Sequence, residues 1–245
     1  MGYGCMGEFY WEIDSVPSWN IILKEIPAVF CVFKQEGAKL FESRNAKEIQ
    51  YVNEKSLERF DQMFCIMMEA LNQYEKQSKL LPLIQWILLG SVIEITLQTI
   101  LAVYHSYYLK DRWQQWDDFD KAHIEESLDN ALEKEVQDKK LSAKQKKSIC
   151  GAIADKIQEH TIVHPIDRIM LDELIQFSEK AKLFDNDKII PQLRVIQKNR
   201  NCIHAFSERE IDNWDVLRSS VNALGYILSD FSQRFAAENF DKATK

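Results

Sequence analysis

One stretch of this sequence has the residue types needed for phosphodiester chemistry. From Lys188 to Ser207 the chain reads KIIPQLRVIQKNRNCIHAFS, with Lys188, Arg194, Lys198 and Arg200 and no acidic residue. The protein as a whole carries a formal net charge of -7, so this is a local reversal of sign. On a helix, Leu193, Ile196, Ile203 and Phe206 repeat as a buried stripe, and Arg200 and His204 are i, i+4 neighbours at its edge. A guanidinium there can fork onto a phosphate and stabilise the charge that builds on it. An imidazole, with its ordinary pKa near 6.5, can exchange a proton with a ribose hydroxyl or a leaving oxygen. Asn201 is placed to orient either the imidazole or the substrate, and the scheme requires no metal. The same residues also fit a structural role, because a cation and a half-buried histidine near a helix C-terminus suit the macrodipole.

The string Arg200-Asn201-Cys202-Ile203-His204, preceded by Leu193-Arg194-Val195-Ile196, resembles the signature helix of the HEPN superfamily. The helix around Gly90-Ser91-Val92-Ile93-Glu94-Ile95-Thr96-Leu97 resembles the earlier HEPN helix that brings a polar or acidic residue toward the Arg and His. The likeness covers about residues 55 to 237. It departs from the family at one point: three residues separate Arg200 from His204, where the usual pattern has four to six. The resemblance implies a HEPN-like helical bundle acting on RNA as a metal-independent endoribonuclease, without a cofactor. Arg200 and His204 would be catalytic, Asn201 orienting and Glu94 supporting, with Lys188, Arg194 and Lys198 holding the RNA. It further implies a homodimer whose two Arg/His helices form one cleft, and a toxin or antiphage setting with an antitoxin or regulatory protein as partner. Other members of the superfamily only bind RNA or nucleotides, so a noncatalytic RNA-binding or protein-interaction module is the alternative. Glu94, the only formal charge between Leu80 and Leu109, is expected to pair with Arg200 in either case, since a lone buried carboxylate needs a partner.

The elements that must position these residues read as all-α. Only 7 glycines and 5 prolines punctuate 245 residues, too few for turn-rich β folds, and an apolar fraction of 46% is enough to bury a core. Residues 1–45 form a β-prone extension, with strands expected at Phe9–Ile13 and Ala28–Phe33, and residues 46–245 form the helical domain. Leu57, Phe60, Met63, Phe64, Met67 and Leu71 begin the helical period. Leu80–Leu109 is long and apolar enough to span a bilayer, but Glu94 at its midpoint argues for a central core helix instead of a membrane span. Residues 110–147 carry an apolar stripe under a charged face, Ser142 is a candidate N-cap, and Phe184–Asp187 is a turn. Two closing helices are expected over 189–206 and 211–237.

Other chemistries have little support. His160 and His164 have metal-ligand spacing, but Pro165 and the β-branched run between them oppose a continuous helix there, and no third ligand is evident. Trp113, Trp116 and Phe119 read as core or interface in preference to a base-stacking platform. There is no GxxxxGK[ST], GxGxxG or GxSxG motif. The five cysteines are scattered and include no CxxC pair, which fits reduced thiols in the cytoplasm.

Overall fold

The computed structural model describes residues 11–43, 54–73, 82–105, 121–161, 166–203 and 210–243. Among these the protein is all-helical: α1 (Trp19–Ser43), α2 (Glu54–Asn72), α3 (Leu83–Val103), α4 (Lys121–Gln137), α5 (Ala143–Thr161), α6 (Leu171–Lys180), α7 (Ile189–Arg200) and α8 (Trp214–Ala243), with 3₁₀ turns at Ile166–Arg168 and Asn201–Ile203. Two compact units result: residues 1–105 with 166–245, and residues 106–165.

The larger unit is organised around α3. This helix is apolar on nearly every side and touches each of the other α-helices described in its unit. Its composition and length would pass for a membrane span, yet 67% of its most apolar window is buried within the bundle, the state expected of a helix with no polar face. Trp86, Leu89, Val92, Ile93 and Ile100 are inaccessible to solvent. Thr96 and Thr99, which also lie inside, return their hydroxyls to the carbonyls of Val92 and Ile95. No buried donor is thereby lost.

The strand expected at Ala28–Phe33 is instead part of α1, while Phe9 and Tyr10 of the other expected strand lie outside the described residues. The reason is tertiary. Trp19, Ile22, Ile26, Phe30, Phe33 and Leu40 fall on one helical face and are buried. Phe30 stacks on Phe64 of α2 at 3.7 Å between ring centroids, and Phe33 meets Phe235 of α8 at 5.4 Å. Packing against two helices overrides the β-preference of aromatic and branched residues, and Pro27 is tolerated inside the helix at the loss of one backbone hydrogen bond. Ahead of α1, residues 11–18 are non-helical, and the first two of them lie against α8. The Trp11 ring fills a notch over Gly225, and Asn222 donates to the Glu12 carbonyl at 2.8 Å.

In the smaller unit, α4 and α5 form a helical hairpin. Ser142 caps α5 as its sequence suggests: its hydroxyl accepts from the Gln145 N–H, while the Gln145 side chain accepts from the Ser142 N–H at 2.9 Å. Lys146 of α5 joins Asp129 and Glu133 of α4. Trp113, Trp116, Phe119 and His164 lie outside the described residues, and His160 falls in the last turns of α5.

Candidate functional site

α7 carries the basic segment, and its two sides differ. Ile189, Leu193, Ile196 and Asn199 are buried, whereas Arg194, Lys198 and Asn201, at i, i+4 and i+7, look outward. Arg200 lies at the inner edge, against α3. There its Nη1 meets the Glu94 carboxylate at 2.5 Å, with the side chains only 26% and 14% exposed. The expected Arg200–Glu94 pair is therefore present. Such shelter strengthens a charge-assisted bond and makes either charge costly to leave alone.

Gly90, one turn before Glu94, makes room for this pair. A Cβ at that position would sit 2.6 Å from Arg200 Cδ, so the arginine stem crosses α3 where α3 has no side chain. The glycine stood in plain view in the sequence, four residues before Glu94, as the signal of a close approach.

Sequence reasoning missed Asn199 and Asp212. Asn199 is fully buried; its Nδ2 donates to Val195 O at 2.9 Å and to Asp212 Oδ2 at 2.8 Å, and its Oδ1 accepts from the Asp212 N–H at 2.8 Å. Trp86 Nε1 of α3 donates to the Asp212 carbonyl at 3.1 Å. Hydrogen bonding from Asn199 first, and from Lys198 after it, holds the Asp212 carboxyl below its usual range. These bonds tie the end of α7 to the approach to α8, which Asn213 then caps by accepting from the N–H groups of Asp215 and Val216.

α7 also ends earlier than the expected 206. The α-helix stops at Arg200 and passes into a 3₁₀ turn over Asn201–Ile203. Cys202 Sγ lies 3.3 Å from the Lys198 carbonyl. Asn201 is exposed at the C-cap, and His204 lies outside the described residues.

Each expected RNA-contacting cation is met by a carboxylate from another part of the chain. Lys188 pairs with Asp14 at 2.5 Å, Arg194 with Asp172 at 2.5 Å, and Lys198 with Asp212 at 3.2 Å. The hydrogen bond from Lys188 to Asp14 raises the lysine's pKa. Asp172 is held most firmly, accepting from Arg194, from Gln197 at 2.9 Å and from Gln176 at 2.5 Å. Its carboxyl is correspondingly lowered, with Gln197 the largest cause. Beside Arg194 a cleft of about 600 Å³ opens between the end of α6, the turn at 184–187 and the first turns of α7.

No protein-family model, curated protein or solved structure matches the chain. Among the described residues no three His, Cys, Asp or Glu side chains gather as a metal site would require.

Proposed function

We propose that this chain is a HEPN-like, RNA-directed protein of the cytoplasm that acts as a metal-independent endoribonuclease. The observation that carries the reading is the sheltered Arg200–Glu94 pair at the α3–α7 contact, where Gly90 makes space for the arginine stem. Glu94 fixes the guanidinium in one orientation, so that Arg200 meets a phosphate with little ordering left to do. In the reaction, His204 takes the proton of a ribose 2′-OH as that oxygen attacks the adjacent phosphorus. Arg200 balances the charge gathering on the phosphoryl oxygens, and the bond to the 5′-oxygen breaks as that oxygen takes up the proton from the imidazolium so formed, leaving a 2′,3′-cyclic phosphate, a 5′-hydroxyl and a neutral His204. Asn201 orients the imidazole or the substrate.

A second copy of the chain completes the cleft in this reading. The half-open edge of α3 supports it: Ile84 is 64% exposed, and Leu88, Ser91 and Ile95 continue that edge past Glu94. Met170, beside the point where Gln98 donates to the Ile169 carbonyl, is 61% exposed. Apolar exposure beside a charged pair suits a surface that another subunit covers. A toxin or antiphage role, restrained by an antitoxin or regulatory protein, fits the same chemistry.

A second reading is a noncatalytic RNA-binding or protein-interaction module, and the carboxylates that already occupy Lys188, Arg194 and Lys198 favour its protein-interaction form. The two readings separate in one experiment. Wild type and His204→Ala are incubated with single-stranded RNA in EDTA, with folding and oligomeric state checked alongside. The nuclease reading expects cleavage by wild type to cyclic-phosphate ends and its loss in a folded variant. A folded, dimeric wild type that leaves RNA intact assigns the chain to the module class.

A further inference from the structure

The outer face of α7 is a basic track whose cations are screened by acids from elsewhere in the fold. Arg194, Lys198 and Asn201 lie along this face, with Gln197 between them. Asp172, in the first turn of α6, takes Arg194 from one side, and Asp212, ahead of α8, takes Lys198 from the other. Lys188, at the N-cap of α7, is taken by Asp14.

Resting on the RNA-directed reading above, we infer that these carboxylates restrain RNA binding. An RNA backbone engages the track by displacing them from Arg194, Lys198 and Lys188, and Asp172 is the chief restraint. Phosphate and carboxylate compete for the same donors, because both accept a guanidinium fork or an ammonium. The three screens are not equivalent. The Lys188–Asp14 pair stands in water, with side chains 54% and 72% exposed, and exposed pairs of this kind are weak. Asp212 is bound by Asn199 and by its own backbone, so it keeps its place whether or not Lys198 leaves it. Asp172 is held by side chains alone, from Arg194, Gln197 and Gln176, in a part-buried setting beside the cleft. Removing its charge releases Arg194 from its ion pair, leaving it only a neutral hydrogen bond to Gln197 at 2.9 Å, while amide hydrogen bonds can still hold the position.

The arrangement suits a protein whose action on RNA must be restrained. A neutralised track binds non-specific RNA weakly at cellular salt, where a bare basic stripe would bind all of it. Only a strand that also gains the Arg200 end of α7 repays the displacement.

The test measures affinity for a mixed-sequence single-stranded RNA across a salt series, using full-length wild type, Asp172→Asn, Asp14→Asn and Glu58→Gln. Glu58 is an exposed carboxylate of α2 that supplies the same change of net charge. The inference expects Asp172→Asn to bind about fivefold more tightly at low salt, the scale of one freed ion pair, with a steeper salt dependence. It expects a smaller gain for Asp14→Asn and none for Glu58→Gln. Equal gains in all three variants would mean bulk charge alone and overturn it, as would wild-type binding that Asp172→Asn leaves unchanged. If no form binds RNA, the RNA-directed reading falls with it. Asp14→Asn keeps the test usable should Asp172→Asn fold poorly, since its pair lies on the surface: a gain over Glu58→Gln supports screening and parity overturns it.

Discussion

Gly90 of α3 and Gly225 of α8 each leave a gap in a helix surface, and each gap is filled by a side chain from a distant part of the chain. At Gly225 the occupant is the Trp11 ring, 5% exposed, with three ring atoms within 2.7 Å of where a Cβ would stand. At Gly90 it is the stem of Arg200, whose head goes on to Glu94. The ring is rigid and apolar, so its notch anchors the N-terminal segment to α8. The arginine stem is flexible, and its notch delivers a charge to a chosen place. The comparison teaches that the same steric device serves packing in one region and the positioning of a charged group in the other. The stiffness of the occupant decides how much stability depends on it.

That contrast can be broken in a graded way. Gly225→Ala should be the most damaging change, costing about 3 kcal/mol in chemical denaturation, because a buried indole cannot yield to a methyl group. The loss should shrink when Trp11→Ala is added, and additive losses would show that the ring and the glycine do not share one gap. Gly90→Ala should cost less, about 1 to 2 kcal/mol, since the stem can shift and alanine is the better helix former. What it should abolish is the coupling to Glu94: Glu94→Gln is expected to destabilise wild type by about 1 kcal/mol and the Gly90→Ala protein hardly at all. Full coupling in the alanine background would mean that the notch does not position Arg200.

A weaker effect is expected from pH. Asp212 and Asp172 have carboxyl pKa values held below their ordinary 3.8, Asp212 first by Asn199 and Asp172 first by Gln197. A depressed carboxyl contributes stability that is fully present above its unfolded-state pKa and is lost as pH falls through its folded value. Denaturation midpoints should therefore decline as pH drops through 4 and below, and less steeply in Asp172→Asn. A slope identical in that variant would remove Asp172 from the account. Smallest of all should be Lys198→Ala, on the exposed side of α7, at under about 0.5 kcal/mol in the same assay. A larger loss would mean that the Lys198–Asp212 pair fastens the fold and is not a surface contact.

Much of the architecture was legible residue by residue. The all-α class, the central apolar helix, the Ser142 cap and the Arg200–Glu94 pair all follow from period, punctuation and the need of a buried charge for a partner. The strand expected at Ala28–Phe33 failed because β-propensity is a weak local bias, and Phe30 and Phe33 gained far more by meeting Phe64 and Phe235. The longer α7 failed for a related reason. Hydrophobic period continues through Ile203 and Phe206, but the side chain of Asn199 ties the end of the helix to Asp212, and the α-helix stops at Arg200.

The sequence by itself determined the helical class and most of the apolar faces, since helical period and turn chemistry are properties of neighbours three or four residues apart. Only the tertiary structure decided how the charges of α7 are spent. Asp14, Asp172 and Asp212 come from three separate stretches of chain, and no local pattern records that each would arrive beside a particular lysine or arginine. A run of cations without acids reads as a basic surface until the fold brings the acids to it. Electrostatic character therefore belongs to the assembled surface, because charges interact through space and not along the chain.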